Sequence, residues 1–526
     1  MGTGGRGATV NSGGGWLPMR PGQAVDIAAI PSVPAESFAG HVVAGGARGG
    51  RLANLFGRRL SAEVIRLYAF VAFDSASRFE VCSADVRRGE TGGTAAAAYP
   101  SITAHWPAAQ AFEREIAERY GVHPLGHPWL KPLRYHATDD GTPAPWGPFD
   151  PAKPIPGDYP FYRVDGEEVH EVAVGPVHAG IIEPGHFRFQ CHGEEVLHLE
   201  IMLGYQHRGV ERLLPHRNAT RSAIVAETIA GDASIGHATA YCAALEGLAG
   251  AKIGLRAAAI RGIALELERL ANHVGDLGAL CTDVAFLPAS AYLGRLRGEY
   301  LNLTLEICGN RFGRNLLRPG GVRFDIPLET AERVRKRLDD LQRETLEVPD
   351  LMFDQSSVLS RFEGIGALTE AQADEIGMVG PAARACGCRR DVRCDHPHGV
   401  FQFSHIPIAV ETTGDVYARA VVRWLEVQRS LEFLLELLGI RPEGKTFEPL
   451  GSLKPNSMAF GVAETWRGEA MHVVFTDDRG DLASAKVKDP SIHNWFGLAL
   501  ALRGAAISDF PVCNKSFNLS YAGHDL

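Results

Sequence analysis

The sequence lacks three features that would place it in common functional classes. It has no run of about 20 apolar residues, so no segment predicts a membrane-spanning helix. It has no excess of positive charge, because 53 Lys and Arg stand against 62 Asp and Glu, which argues against a general nucleic-acid binder. Finally, its nine cysteines include no C-x-x-C pair, the spacing that thiolate-ligated metal sites commonly use.

The composition is that of a folded, globular protein. The 526 residues are 45% hydrophobic and 22% charged, which is enough to build a large core without disulfides and suggests two or three domains. The cysteines are odd in number and scattered, so a reduced, cytosolic setting is expected. The Gly-rich N-terminus has no apolar core followed by a cleavage site, so no signal peptide is expected.

Shifts in composition along the chain predict four segments. Residues 1–60 are rich in Gly and Ala and are expected to be flexible. Residues 61–136 alternate strand-like and helical patterns, which favours a small α+β domain. Residues 137–165 are Pro-rich and predict a linker, and residues 166–526 form a larger, mainly helical domain that opens with a short β region.

Local patterns predict individual elements within these domains. The stretch AQAFEREIAERY (109–120) predicts a helix ended by Gly121. HFRFQ and EVLHLE, separated by His192-Gly193, predict a hairpin. Apolar residues at helical spacing over 263–277 and 421–438 predict two buried helices, the second with Gly439 as its C-cap.

One short motif formally matches a phosphate-binding loop. Residues 439–446 read G-x-x-x-x-G-K-T, a loop that needs a strand before it and a helix after it. Here a predicted helix precedes it, the following residues cannot open a helix cleanly, and Pro442 removes one backbone N–H. An inter-helix turn is therefore the favoured interpretation over nucleotide hydrolysis.

A second motif groups possible metal ligands. Cys386, Cys388, Cys394, His396 and His398 have side chains that suit Zn²⁺ or an iron–sulfur cluster. The C-x-C spacing is tighter than the usual knuckle, and three arginines lie within the segment. The alternative is an Arg-rich loop that happens to contain cysteines.

Long strings along the chain resemble one family. GPVHAGIIEPGHFRFQCHGEEVLHLEIMLGYQHRGVE is similar to the start of the large subunit of energy-converting, membrane-bound nickel–iron hydrogenases of the formate hydrogenlyase type, and of the 49-kDa subunit of complex I. WPAAQAFEREIAERYGVHPLGHPWLKPLR resembles the signature of the 30-kDa complex I subunit, which formate hydrogenlyase large subunits carry fused at the N-terminus. Further matching strings are LERLANHVGDLG, GMVGPAARACG, GDVYARAVVRWLEVQRSL, VKDPSIHNW and DFPVCNKSFNLSYAGHDL.

The resemblance also identifies where catalytic members hold nickel and iron on four thiolates. In the motif that reads E-R-I-C-G-x-C in those members, Ala230 and Ala233 stand at the cysteine positions. In the C-terminal motif, Ser520 and Gly523 stand there. Alanine and glycine side chains offer no donor atom and a serine hydroxyl is a poor ligand, so we expect no nickel–iron centre and no hydrogen activation.

The complex I branch of the family implies a quinone site, which this sequence matches only in part. His178 corresponds to the histidine that holds the quinone headgroup in that branch. The partner tyrosine belongs near Ala230, where this chain has none, and the nearest tyrosine is Tyr241. The match to the quinone site is therefore partial: the histidine is present and the tyrosine is not.

A set of polar residues remains at the former metal pocket. Arg208 and Glu211 match the R-G-x-E motif, whose Glu passes protons in hydrogenases, and Arg467 matches a loop that overhangs the cavity. Asp232 lies between the two former ligand positions, and His237 follows them. A carboxylate there can have a shifted pKa and relay protons; the alternative is that these groups are structural ion pairs.

The resemblance implies a peripheral-arm subunit of a membrane-bound, complex I-like oxidoreductase on the cytoplasmic face of the membrane. The expected partners are a small subunit with a 4Fe-4S cluster and integral-membrane, antiporter-like subunits, in a hetero-oligomeric complex. No cofactor is expected on this chain itself, apart from a possible quinone, and NAD would be handled by other subunits. The alternative function is a non-catalytic scaffold or proton-coupling subunit of the same complex.

Overall fold

The computed structural model describes residues 14–88, 97–139, 141, 159–178, 182–215 and 218–526. The strands are β1 (Leu17–Met19), β2 (Val25–Asp26), β3 (Ser32–Val33), β4 (Arg51–Arg59), β5 (Val64–Phe73), β6 (Arg78–Arg87), β7 (Ala98–Pro100), β8 (His123–Leu125), β9 (Val169–Val174), β10 (His186–His192), β11 (Glu195–Met202), β12 (Leu317–Arg318), β13 (Gly321–Val322), β14 (Ser457–Thr465), β15 (Gly468–Thr476) and β16 (Leu482–Lys488). The helices are α1 (Ala35–Gly46), α2 (Gln110–Tyr120), α3 (Val210–Leu213), α4 (Ala219–Ala226), α5 (Ser234–Leu248), α6 (Leu255–Asp283), α7 (Leu287–Cys308), α8 (Leu328–Phe353), α9 (Ser356–Leu359), α10 (Glu370–Glu375), α11 (Gly380–Arg384), α12 (Val392–Asp395), α13 (Val416–Ile440), α14 (Ser491–Ala501), α15 (Phe510–Phe517) and α16 (Tyr521–Asp525).

The N-terminal part is a sheet covered by two helices. Its strand order is β1-β6-β5-β4, with β3 also pairing with β6, and α1 and α2 pack against it. Helix α2 ends where the sequence predicts, because Gly121 takes a φ of 65° and its N–H bonds to the carbonyl of Ala117. The left-handed conformation suits glycine, and it closes the last helical turn.

The prediction of a flexible N-terminus over residues 1–60 is wrong for the residues that the structure describes. Residues 14–60 contain β1 to β4 and α1, and β4 pairs with β5 along its whole length. The hydrophobic side chains scattered among the glycines, such as Trp16 and Phe38, are buried in the domain core. The small residues allow close packing there, so Gly and Ala content was a poor guide to flexibility.

The predicted linker at 137–165 falls largely outside the described residues, since 140 and 142–158 are among those left undescribed. Beyond it, the hairpin is confirmed: β10 pairs antiparallel with β11, and β9 adds a third strand. Helices α6, α7, α8 and α13 pack against one another and form the main helical core, and the predicted apolar stripes lie within α6 and α13.

The α+β fold class is confirmed, but the large domain contains a second sheet that the sequence analysis did not predict. Strands β14, β15 and β16 form an antiparallel sheet, and β2 from the N-terminal segment adds to its edge. Every residue of β14 and β15 is buried. A strand that is covered on both faces loses the alternation of polar and apolar residues by which strands are recognised.

This second sheet joins the two parts of the molecule. Its face packs on the N-terminal sheet through aromatic side chains, with Phe70 and Phe460 at 5.5 Å and Tyr68 and Phe475 at 5.3 Å between ring centroids. One shared hydrophobic cluster therefore spans both domains. The same sheet also carries His472 and leads into Arg467, so it positions part of the candidate site.

The segment that matches a phosphate-binding loop is a connection without a following helix. Helix α13 runs on through Gly439 to Ile440, and Arg441, at a φ of 45°, is its C-cap rather than Gly439. The segment leads to β14, so it is not an inter-helix turn as predicted. Without a helix N-terminus after Thr446, the arrangement that holds phosphate is missing in this part of the described chain.

Candidate functional site

The first pair of former ligand positions lies in the turn that leads into α5. Ala230 and Ala233 are both buried and pack against Trp466 in a small apolar cluster. Trp466 follows β14, and its Nε1 donates to the carbonyl oxygen of Asp232 at 2.8 Å. An aromatic ring and methyl groups therefore line the space where the family places metal-bound sulfur.

The second pair of positions is used to start the last helix. Ser520 is the N-cap of α16, and its Oγ accepts a hydrogen bond from the backbone N–H of Gly523 at 2.8 Å. This is the usual role of serine at a helix N-terminus. The hydroxyl is thus engaged with the chain itself.

Gly523 also faces a carboxylate. A Cβ atom at this position would lie 2.5 Å from Cγ of Asp489 and closer still to Oδ2. Asp489 is fixed there, since it accepts hydrogen bonds from His237 Nε2 at 3.0 Å and from the N–H of Ser491 at 2.8 Å. A nickel–iron centre does not fit this donor set, because none of the four positions has a thiolate. In addition, the Asp489 carboxylate occupies the space that a cysteine side chain at position 523 would need.

A bidentate salt bridge joins Asp232 and Arg467 in the pocket. The guanidinium donates two hydrogen bonds to the carboxylate, at 2.6 and 2.8 Å, and its Nε donates to the carbonyl of Asn518 at 2.6 Å. Arg467 also lies over the Trp466 ring at 3.9 Å. The Arg467 side chain therefore links the two segments that contain the former ligand positions, the turn with Ala230 and Ala233 and the C-terminal segment with Ser520 and Gly523.

Three carboxylates lie around Arg467. Asp232, Asp489 and Glu183 all interact electrostatically with Arg467. Burial raises the pKa of Glu183, whereas for Asp489 the hydrogen bond from His237 and the charge of Arg467 outweigh burial and lower the pKa. Because burial favours the neutral form of Glu183, this carboxyl is the member of the cluster that is suited to hold a proton.

A buried histidine pair extends the cluster. His237 Nδ1 lies 3.0 Å from His472 Nε2, and its Nε2 faces the carboxylate of Asp489. Since a carboxylate only accepts, His237 Nε2 carries a hydrogen. Burial and the neighbouring His237 keep the pKa of His472 well below its usual value, so His472 is neutral.

Glu268, which was not among the predicted site residues, stands beside this pocket on α6. Its carboxyl oxygens accept from the backbone N–H groups of Ile235 and Gly236 at 2.7 and 3.1 Å. Burial raises its pKa to about 8, and the charge of Asp232 adds to the effect. The residue lies in LERLANHVGDLG, one of the strings that carry the family resemblance.

Arg208 and Glu211 are not brought together with Asp232. Arg208 donates to the backbone carbonyls of Thr228 and Ile229 at 2.7 and 2.9 Å and so supports the turn before Ala230. Glu211 is buried against Arg119 of the N-terminal domain and Lys486 of β16. Its described partners make it a structural link between the two domains.

His178 lies in the turn before β10. Its Nε2 is 3.0 Å from the carbonyl oxygen of Gly185, and a Cβ on Gly185 would contact the Tyr521 ring. Glu183 in the same turn accepts from the N–H groups of Tyr521 and Ala522 at 3.1 and 3.3 Å. The turn therefore adjoins the helix that carries the second degenerate stretch. Tyr241 instead packs on His472, at 5.7 Å between ring centroids.

The possible metal ligands at 386–398 point to different partners. Sγ of Cys386 donates to the carbonyl of Ala382 at 3.3 Å, and Sγ of Cys394 to that of Ile406 at 3.0 Å. His396 Nε2 contacts Asp74 at 2.9 Å. Within the described ranges, no three His, Cys, Asp or Glu side chains converge as a metal site would require.

Comparison with known proteins defines the class to which this fold and site belong. The family model "Respiratory-chain NADH dehydrogenase, 30 Kd subunit" matches residues 64–148, and the corresponding 49 Kd subunit model matches residues 283–454. The 49 Kd match includes neither of the two segments that contain the former ligand positions.

Individual relatives extend the match over most of the chain. Formate hydrogenlyase subunit 5 of Escherichia coli is 31% identical over 445 residues, which cover 81% of this chain and 77% of that protein. Carbon monoxide-induced hydrogenase of Rhodospirillum rubrum is 31% identical over 353 residues, covering 66% and 97%. A chain of the membrane-bound sulfane sulfur reductase, an archaeal respiratory membrane complex, superimposes with a TM-score of 0.65 at 25% identity, covering 69% of this chain and 100% of that one.

The chain belongs to the family of hydrogenase-related large subunits, in which domains of the 30-kDa and 49-kDa complex I types are joined in one polypeptide. It is therefore a subunit of an oxidoreductase complex. In the part of the chain that the structure describes, no helix is both long and apolar enough to cross a bilayer.

Proposed function

We propose that this chain is the peripheral large subunit of a membrane-bound, complex I-like oxidoreductase that works without a nickel–iron centre. In this proposal electrons arrive from a 4Fe-4S cluster in a small partner subunit and pass to quinone or another acceptor, and proton movement accompanies the transfer. The supporting observation is the pocket itself, in which Asp489 stands beside Gly523 where a thiolate would have to reach the metal.

The residues of the pocket would then handle protons rather than metals. Asp232, Glu183 and Asp489 place three carboxylates around Arg467, and the His237–His472 pair lies behind Asp489. An acceptor that gains an electron develops negative charge, which Arg467 stabilises and which a proton from this cluster neutralises. Quinone would supply an acceptor of this kind, with His178 as the candidate contact.

The proposed setting follows from the relatives. The partners would be the cluster-bearing small subunit and antiporter-like membrane subunits, and the chain would sit on the cytoplasmic face of the membrane. NAD would be handled only by other subunits of the assembly. Formate hydrogenlyase subunit 5 and the sulfane sulfur reductase chain belong to different kinds of complex. Similarity to them therefore does not identify the electron acceptor.

The alternative is a scaffold or proton-coupling subunit that binds no redox substrate. One observation favours it: the polar groups that face Arg467 are already bonded within the chain, Asp232 to the guanidinium, Asp489 to His237 and Glu183 to the α16 backbone. A pocket filled in this way needs no ligand to satisfy its charges.

The two functions are separated by substitutions in the intact membrane complex. His178→Ala and Asp232→Asn should each lower electron transfer about a hundredfold if the pocket serves the acceptor, since each removes a positioned polar group. The matched controls are His192→Ala and Asp478→Asn, both exposed. Unchanged electron transfer in both pocket variants, with the complex fully assembled, would reject the catalytic proposal in favour of the scaffold.

A further inference from the structure

The connection between α7 and α8 concentrates positive charge in a chain that is acidic as a whole. Residues 307–324 contain four arginines and no acidic residue, whereas the full sequence has a net charge of −9. We call these residues the arginine segment; its arginines are Arg311, Arg314, Arg318 and Arg323. A patch whose sign is opposite to that of the whole chain can orient the approach of a negatively charged partner.

Two contacts place the arginine segment against the turn that carries Ala230. The backbone N–H of Asn315 donates to both carboxyl oxygens of Glu227 at 2.9 Å. A Cβ at Gly231 would lie 3.7 Å from Nη2 of Arg314, and the side chain of Arg314 is itself exposed. The arginine segment therefore lies at the edge of the candidate site and is open to solvent there.

The chain does not neutralise this charge. Among the described residues, no carboxylate oxygen lies within 4 Å of any of the four guanidinium groups. Glu227 interacts electrostatically with Arg314 and Arg323, but burial raises its pKa to about 7, so it is only partly ionised at neutral pH. Asp325, which follows the segment, is paired with Arg256 at 2.7 Å. Most of the positive charge is therefore left for a partner outside the chain.

One guanidinium of the segment is held in a fixed position. Nε of Arg318 donates to the carbonyl oxygen of Val322 at 3.1 Å, and the group stacks on Phe447 at 3.3 Å from the ring centroid. The neighbouring Glu448 is paired with Lys445 at 3.4 Å. A planar, fixed guanidinium suits carboxylates that a folded protein also holds in place, because little side-chain freedom is lost on pairing. A fluid lipid surface gains less from such fixed geometry.

An exposed apolar side chain lies next to the positive charge. Ile224 is on α4, one turn before Glu227, and is 43% exposed. Arg221 precedes it by one further turn on the same face of α4 and is also exposed. Protein interfaces commonly combine an apolar contact with arginine in this way. The composition of this surface therefore favours a protein partner over a membrane.

We propose that the arginine segment, together with Arg221 and Ile224 of α4, is a docking surface for the acidic face of a partner protein. Carboxylates of the partner pair with Arg314 and its neighbours, and an apolar side chain of the partner covers Ile224. The inference rests on the proposed function in one respect, because it takes the chain to be a subunit of a larger complex. It does not require the pocket to transfer electrons or protons.

The first test is a titration of the purified full-length chain with a fluorescein-labelled oligoglutamate peptide, in parallel with vesicles of phosphatidylglycerol. We expect saturable binding of the peptide that weakens as salt is added, because exposed charges are screened. Arg221→Glu combined with Arg314→Glu should weaken the binding about tenfold, since each reversal replaces an attraction with a repulsion. The matched control combines Arg335→Glu with Arg343→Glu, two exposed arginines of α8, and should keep the wild-type affinity.

Three results of this titration would overturn the proposal. The peptide might fail to bind at saturable levels, or the control might weaken binding as much as the test variant. Alternatively, the vesicles might bind through Arg221 and Arg314 while the peptide does not, which would make a membrane the occupant of the surface. Peptide binding that is lost only in the variant of the arginine segment and α4 supports the docking surface.

The second test uses the intact membrane complex, purified through a tag on this chain and washed with rising concentrations of NaCl. The variant with Arg221→Glu and Arg314→Glu should release a partner subunit at a lower salt concentration than the wild type, whereas Asp232→Asn should retain it as the wild type does. Unchanged retention in the arginine variant would overturn the docking surface, even if Asp232→Asn stops electron transfer as the proposed function expects. Early release in the arginine variant, with normal electron transfer in Asp232→Asn, would support the docking surface and count against the catalytic function.

Discussion

Restoring a side chain at Gly523 is the sharpest structural test of the rebuilt pocket. Gly523 lies in α16 and faces Asp489, so that even a Cβ would stand 2.5 Å from Cγ of that residue. The contact cannot be relieved by a flexible tip, because the carboxylate is held by His237 Nε2 and by the N–H of Ser491. Gly523→Ala must therefore displace a buried, hydrogen-bonded charge.

The expected cost follows from the bonds that must stretch. A hydrogen bond to a charged group contributes about 1.5–3 kcal/mol, and an extra methyl in a packed interior costs about 1–3 kcal/mol. Displacing Asp489 enough to weaken one of its two bonds gives a loss of about 3 kcal/mol in the free energy of unfolding. Gly523→Cys, which re-creates a former ligand, should cost at least as much.

The assay is urea unfolding followed by tryptophan fluorescence, arranged as a double-mutant cycle with Asp489→Ala. That substitution removes the two closest contacts and leaves Ser520 Oγ at 2.9 Å, so the double variant should be only slightly less stable than Asp489→Ala alone, with a coupling of about 2 kcal/mol. Gly298→Ala is the matched control, because a methyl group added at that helical position would meet no atom within 4 Å; it should be neutral or slightly stabilising. A Gly523→Ala variant as mild as this control, or additive losses in the cycle, would refute the reasoning.

Two further predictions concern buried carboxyl groups. The pKa of Glu268 is raised from 4.5 to about 8, so the folded state binds the proton of this carboxyl more tightly than the unfolded state does. The stability that Glu268 contributes therefore falls as the pH rises between these two values, and Glu268→Gln should lose less stability than the wild type over that window in urea titrations. An identical pH profile for the two proteins would contradict the assignment. Glu211→Gln should lower the free energy of unfolding by about 3 kcal/mol, because it leaves Arg119 and Lys486 short of a buried counter-charge. Calorimetry should show a lower melting temperature for this variant and an unchanged one for the control Glu36→Gln, which alters an exposed residue. Equal effects of the two substitutions would contradict the inter-domain role of Glu211.

The sequence predicted elements wherever the local pattern decides the structure. Helix α2 and its stop at Gly121, the β10–β11 hairpin, and the apolar faces of α6 and α13 all follow from spacing over a few residues. The two sheets that pack on each other were less visible. Their strands are buried on both faces or rich in small residues, so neither alternation nor composition marked them.

The candidate site was predictable only where one motif carries it. Asp232 and Arg467 were identified from family strings, and the structure places them in contact. Asp489 and Glu268 lie far along the chain from their partners, and no spacing rule connects His237 with a carboxylate 252 residues later. For Glu211 the motif suggested the pocket, whereas the structure places its carboxylate against Arg119 and Lys486, and its proton-relay role stays a prediction.

The central claim is that the four former ligand positions, Ala230, Ala233, Ser520 and Gly523, hold no metal. The direct measurement is elemental analysis of the purified membrane complex, with nickel quantified per large subunit alongside the iron of the partner cluster. The account predicts nickel at background level, since the donor set contains no thiolate. About one nickel per large subunit, bound between the α5 turn and α16, would contradict it.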